Sequence, residues 1–200
     1  MPDTDVLGQQ ARRSPTGREL DVVDVLLAQH ARIEELFLLV AGATGPAKRE
    51  AFEDLVRMLA VHETAEEEVV HPASRGLIDS GDAIVDDRLD EERQAKEMLQ
   101  ALIDDGVDSE GFDTGLLLLR NAVLTHARYE ERYEFTRLRA KLPADRLRTL
   151  AAAVLAAESM APTRPHPGAE SALANVTAGP LLAVVDRVRD AIREATREKG

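Results

Sequence analysis

The stretch FEDLVRMLAVHETAEEEVVHP, residues 52–72, governs how the rest of the chain is read. Phe52, Leu55, Leu59, His62, Glu66 and Val69 fall at alternating intervals of three and four, the spacing of one face of an α-helix. Four of the six are apolar and point that face into a core. The other two, His62 and Glu66, stand one turn apart and aim at the same spot. A carboxylate in a core is costly unless it is paired, hydrogen-bonded or bound to a cation.

The pattern returns further on. Leu116, Leu119, Val123, His126, Glu130 and Tyr133 repeat the stepping, with a second His-x-x-x-Glu pair in the apolar stripe. Upstream, Val23, Leu26, Leu27, His30, Ile33 and Phe37 form a third stripe holding one His. A single His on an apolar stripe is ordinarily a hydrogen-bonded core residue. Three of them, with two Glu at i+4, point instead to a metal site inside a helical bundle.

Working outward, residues 1–18 are polar and without periodicity, and read as a mobile tail. A first helix is predicted from about Arg18 to Val40, stopping at Gly42-Ala-Thr-Gly-Pro46. Pro46 suits the first turn of a second helix. That helix runs to His71, because Pro72 disfavours helical backbone at the residue before it. A third spans about Asp82 to Asp104, with Val85, Leu89, Glu92, Ala95, Leu99 and Leu102 facing inward. The fourth spans about Phe112 to Lys141 and ends before Pro143. Long helices joined by short loops specify an all-α, up-down-up-down four-helix bundle over residues 19–142. Residues 143–200 read as a two-helix extension. Leu147, Leu150, Val154 and Ala157 mark its first helix, Pro162 to Gly168 a connector, and Leu181, Val184, Val188 and Ile192 its second.

Composition narrows the chemistry. The net charge is −12, which opposes a nucleic-acid partner or an anionic membrane surface. Residues 1–142 carry 17 Lys and Arg against 30 Asp and Glu, whereas 143–200 carry 8 against 7, so the acid sits with the candidate ligands. There is no cysteine, so any metal is held by His nitrogen and carboxylate oxygen, donors that suit iron, manganese or zinc. No apolar run is long enough to cross a membrane, and Arg12-Arg13 is followed by polar residues, so the expected location is the cytoplasm.

An antiparallel bundle would bring together His30, His62, Glu66, Glu92, His126 and Glu130. Six groups over-supply one divalent ion. They suit two ions bridged by Glu66 and Glu130, with open positions for a small ligand such as dioxygen, peroxide or nitric oxide. Glu92 has an ordinary alternative, a salt bridge to Arg88 or Lys96 at i±4. His71, nine residues after His62, projects from another side of its helix. His166 lies in the connector and faces solvent. Glu67, Glu68 and Glu131 are solvated or outer groups, and Tyr133 is either packing or a hydrogen-bond donor to a metal-bound oxygen.

His30, the segment from His62 through Glu66-Glu67 to Pro72, and the segment from His126 through Glu130-Glu131 together resemble the hemerythrin-like HHE cation-binding domain family. The resemblance covers about residues 20–142. It implies a four-helix bundle holding a carboxylate-bridged, non-haem di-iron centre. The family's activities include oxygen binding, iron storage or sensing, and reaction with nitric oxide or peroxide. The tail beyond Pro143 resembles an extension found on some actinobacterial members. One departure matters: Glu92, four residues before Lys96, stands where the family usually has a His. An added carboxylate favours the higher oxidation state and disfavours reversible dioxygen carriage. Three functions follow for comparison: a di-iron oxidoreductase consuming peroxide or nitric oxide, a non-enzymatic oxygen or iron sensor or store, and a degenerate bundle docking partners through its last two helices. The retained inward ligands argue against the third.

Overall fold

The computed structural model describes residues 19–77, 81–160, 186, 189, 190, 192 and 193. The tail 1–18, the connector with His166, and most of the last expected helix lie outside the described residues. Every regular element among those described is helical: α1 (Val22–Gly42), α2 (Gly45–Ala65), a π-turn (Glu66–Val70), α3 (His71–Leu77), α4 (Gly81–Asp105), α5 (Phe112–Glu130), a second π-turn (Glu131–Phe135), α6 (Thr136–Lys141) and α7 (Ala144–Met160). The fold is an all-α bundle, as the periodicity implied. α1 packs on α2 and α5, and α4 packs on α5 and α3.

Local chemistry sets the ends. Asp21 caps α1 through a capping box, its carboxylate accepting from the Asp24 amide at 3.0 Å while Asp24 accepts from the Asp21 amide at 3.0 Å. Arg139, from α6, bonds both carboxylates and so ties the start of α1 to the end of the fourth rod. Gly45, at φ 56, turns the chain into α2 through a conformation that side-chain-bearing residues resist, and Pro46 follows it into the first turn. Leu142 leaves α6 with extended backbone, as the residue before Pro143 should.

One boundary is corrected. The second rod does not stop at His71, which has ordinary helical backbone at φ −61 and ψ −43, and the helix continues through Pro72 to Leu77. The π-turn explains this. It interrupts the α-type hydrogen-bond ladder, so that His71 bonds back to the Glu66 carbonyl and Pro72 falls in the first turn of a restarted helix, where its missing N–H costs little. Gly81 then brings α4 hard against α3: a Cβ there would lie 2.5 Å from the Ser74 carbonyl oxygen.

The core has two apolar clusters with a polar layer between them. Ile33, Phe37, Phe52, Leu55, Leu99, Phe112 and Leu119 belong to one cluster. Val22, Leu26, Val61, Val70, Phe135, Leu138 and Val154 belong to the other. Along each rod the candidate ligands fall where one cluster gives way to the other. Helix α7 lies on α1 and α2 and contributes Leu147, Leu150 and Val154, three of the four residues of its expected stripe, to the second cluster. Ile192 is buried in the same cluster, and Arg189 bonds Glu68, in the first π-turn, at 2.6 Å. Two expected inward positions are corrected: Leu27 is 36% exposed, and on α4 the buried residue is Arg88, with Leu89 only half-buried.

Candidate metal centre

All six expected ligands are buried: His30, His62, Glu66, Glu92, His126 and Glu130. Three helical rods and α4 bring them to one level. His62 Nε2 lies 3.2 Å from Glu66, His30 Nε2 lies 3.4 Å from Glu130 and 3.8 Å from Glu66, and His126 Nε2 lies 3.4 Å from Glu130 and 4.0 Å from Glu66. One ligand atom from each of His30, His62, Glu66 and Glu130 falls within 4.8 Å of the others, and the same holds for Glu66, Glu92 and His126. Glu66 is common to both groups, the position expected of a bridging carboxylate.

Each imidazole is held from behind. His30 Nδ1 lies 2.8 Å from Glu131, His62 Nδ1 lies 3.0 Å from the Gln29 side-chain oxygen, and His126 Nδ1 lies 3.0 Å from Glu91. These acceptors hold a proton on each Nδ1 and turn each Nε2 toward the carboxylates. Outer hydrogen bonds of this kind are what orient histidines at metal sites. At the centre, both oxygens of Glu66, both of Glu130 and the Nε2 atoms of His30 and His126 are buried with no hydrogen-bond partner. Buried polar atoms are almost always partnered, so so many unpartnered acceptors converging on one spot fit a bound cation.

A match to the family model for the hemerythrin HHE cation-binding domain spans residues 21–159. This chain is a member of that family. The match takes in α7 as well as the four rods. A Nostoc protein described as a DNA nickase is 25% identical over 154 residues, covering 76% of this chain and 43% of that protein. The chain therefore spans less than half the length of that relative. In fold, it resembles the crystal structure of a hemerythrin HHE cation-binding-domain protein from Mycobacterium kansasii, with a TM-score of 0.63 and 19% identity over 84% of this chain and 99% of that one.

In this HHE domain the layer is larger than the six expected residues. His71 and Glu134 are also fully enclosed: His71 Nε2 lies 2.5 Å from Glu92, its Nδ1 lies 3.4 Å from Glu134, and Ser74 donates to Glu134 at 2.9 Å. His71, Glu130 and Glu134 form a third group with ligand atoms within 4.8 Å. The expectation that His71 points elsewhere is corrected, and the π-turn is the reason. It takes up one residue more than an α-turn, which rotates everything after it back by about 100° and swings His71 inward. The second π-turn does the same to the other rod. Glu134, not Tyr133, continues its inward line. Tyr133 lies instead in an outer groove with Arg88, Tyr129 and Arg137, its ring 6.1 Å from that of Tyr129 and away from the ligands. Nothing in plain helical spacing marks either π-turn; the only hint is that an ionisable residue follows the His-x-x-x-Glu pair in both rods.

The electrostatics describe a crowded site. Burial, then repulsion from Glu130, pushes the Glu66 carboxyl well above its ordinary value. Burial would raise Glu130 too, but His126 and His30 hold it well below. Burial and the neighbouring His30 keep His62 neutral, its pKa well below 6.5. Burial also opposes a charge on His71, but Glu134 and Glu92 overcome it and push its pKa up to about 10. Glu92 has two sets of neighbours. It shares the ligand layer, and its other oxygen lies 3.6 Å from Lys96, which also bonds Glu67 at 2.5 Å. Glu68 pairs with Arg189, and Glu131 serves His30. A small cavity lies within the layer itself, walled by His30, His62, Glu66, Glu92 and His126 on one side and by Ile33, Leu59, Ala95 and Val123 on the other.

Proposed function

We propose that the chain is a non-haem di-iron protein in which Glu66 and Glu130 bridge two ions and a small oxidant (peroxide, nitric oxide or dioxygen) binds beside them. The observation that carries the reading is the set of unpartnered carboxylate oxygens and imidazole nitrogens facing one another in the core. His30, His62 and His126 would hold the ions with Glu66, Glu130 and Glu92. The ions, once bound, supply open coordination positions and electrons for redox chemistry.

The chain's own residues do the rest. Glu131, Gln29 and Glu91 keep the three histidines in the ligating tautomer. The cavity among the ligands has room for little more than one small molecule, and its Ile33, Leu59, Ala95 and Val123 wall favours one that is weakly hydrated. Glu63, whose carboxyl burial pushes up to about 7 against the opposing pull of Lys96, lines that cavity and can hold or release a proton near neutral pH. The nitrogen and oxygen donors also accept manganese or zinc.

A non-enzymatic sensor or store of oxygen or iron uses the same ligands. The reactive reading is preferred because the cavity meets the ligand layer. No nucleic acid or membrane partner is proposed: the net charge is −12, and no helix among the described residues is long and apolar enough to cross a membrane. The nicking activity named for the Nostoc relative is not carried over for the same reason of charge. A cytoplasmic location belongs to the same proposal. The test is metal analysis and absorption spectroscopy of protein from iron-replete cells. Two irons per chain with the visible bands of a coupled ferric pair are expected, and a single zinc with no iron would overturn the reading.

A further inference from the structure

We propose that Glu158, on α7 beyond the four rods, is a positioning residue of the cation centre: acting through Gln29, it fixes which ring nitrogen of His62 faces the ions. The inference rests on reading the buried layer as a cation site. Its geometry is a relay of two hydrogen bonds. Gln29 Nε2 donates to Glu158 at 3.1 Å, and Gln29 Oε1 lies 3.0 Å from His62 Nδ1.

An ionised carboxylate only accepts hydrogen bonds, so the Gln29 atom turned toward Glu158 is its nitrogen. The amide is planar, with nitrogen and oxygen on opposite sides, so its oxygen faces His62. An oxygen there requires the proton on Nδ1. A neutral imidazole carries one N–H, and Nε2 is left as a bare lone pair 3.2 Å from Glu66. Two acceptors facing each other in this way repel unless a cation or a proton lies between them.

The other two histidines need no such relay. His30 and His126 hand their Nδ1 protons straight to carboxylates, Glu131 and Glu91, which have a single hydrogen-bonding sense. His62 alone is backed by an amide, which could equally present its NH2 group and invert the tautomer. Gln29 is 3% exposed, so water does not choose its orientation. Glu158 does. The helix past the bundle thereby acts on the centre as well as on the core.

The test reads the His62 tautomer by 15N NMR in metal-free protein and zinc(II) affinity by competition with a chelator. Wild type is expected to show the Nδ1–H form. Glu158→Ala should give a mixture of tautomers and weaken zinc roughly tenfold, the low end of the loss seen when outer partners of metal ligands are removed. Adding Gln29→Glu to that variant should restore both, because a carboxylate at position 29 fixes the tautomer unaided, whereas a packing role for Glu158 would not be rescued. Circular dichroism checks that each variant is folded. A Glu158→Ala protein with the wild-type tautomer and affinity overturns the proposal, as does a loss that Gln29→Glu fails to repair. The tautomer is read without metal, so a wild type that binds no cation sinks the reading of the centre and leaves the NMR result to judge the relay.

Discussion

Glu66→Gln should reverse the sign of its effect on stability according to whether cations are present. Glu66 has no exposed surface and both of its oxygens lack hydrogen-bond partners. In the metal-free protein, folding must either strip water from that carboxylate beside Glu130 or hold a proton on it, which is why its pKa rises well above the ordinary value. A buried unsatisfied polar group costs roughly 1–3 kcal/mol, and more when charged. An isosteric amide removes the charge and offers Glu130 a donor, so a gain of about 2 kcal/mol is expected without metal. For a chain of this length that is about 4–8 °C in Tm. The gain has a pH signature. A carboxyl whose folded pKa is raised costs nothing below its unfolded value near 4.5, where both states are protonated, and the cost grows as pH rises above that. The Gln variant should therefore match wild type near pH 4 and exceed it near pH 7. With cations present the order inverts, because the variant loses a bridging ligand and with it the stabilisation that binding gives. Thermal melts followed by circular dichroism, with chelator and with added zinc(II) or anaerobic iron(II), measure all four cases. A metal-free Glu66→Gln protein less stable than wild type at pH 7 would refute the reasoning, since the carboxylate would then be making favourable contacts of its own.

Metal-free stability should also fall on the alkaline side: the raised pKa of His71 contributes stability that is fully present below 6.5 and lost as pH climbs through about 10. His71→Gln should flatten that slope in denaturation midpoints taken from pH 6 to 10, and an unchanged slope would remove His71 from the account. Dioxygen added to the anaerobic iron(II) protein should oxidise it with no recovery under argon, because Glu92 adds negative charge where an imidazole would not; a visible spectrum that comes and goes with the gas counts against this. Arg139→Ala should cost about 1–2 kcal/mol in denaturant titrations, since it removes the guanidinium that bonds both the Asp21 and Asp24 carboxylates at the start of α1. A loss below about 0.3 kcal/mol would mark that pair as an ordinary surface contact.

The inward stripes were legible because α-helical spacing is a geometric constant and because His and Glu are conspicuous among Leu and Val. All six expected ligands lie in one layer for that reason. The same constant misled at the π-turns. Extending it past Glu66 and Glu130 puts His71 outside and Tyr133 inside, and the one-residue excess of each π-turn exchanges those assignments. No residue type dictates a π-turn, so the register shift is a tertiary effect that periodicity does not carry. Arg88 was hidden differently. A guanidinium on an inward position looks unfavourable until the fold supplies the Tyr129 ring 4.7 Å away and Glu91 at 2.9 Å. Gln29 and Glu158 are 129 residues apart in sequence, and nothing short of the packed α1–α7 pair reveals that they meet.

Both π-turns sit at the same level and both follow a His-x-x-x-Glu pair, which gives the register shift a consequence for charge. Without it the layer would hold three carboxylates: Glu66, Glu92 and Glu130. With it Glu134 joins them, and so does His71, which lies between Glu92 and Glu134 and, with a pKa of about 10, offsets about one of the four negative charges. Cations in the proposed centre would offset the remaining negative charge, which the apolar clusters on either side do not. Their release would leave that charge uncompensated in the core, and the metal-free protein would take up protons in their place. Cation release and proton uptake are then two faces of one equilibrium. Acid should strip the centre in step with protonation of the layer, and the number of protons bound per ion released, measured by titration calorimetry in buffers of different ionisation enthalpy, should be about one or more. A value near zero would mean that the layer is not where the ions reside.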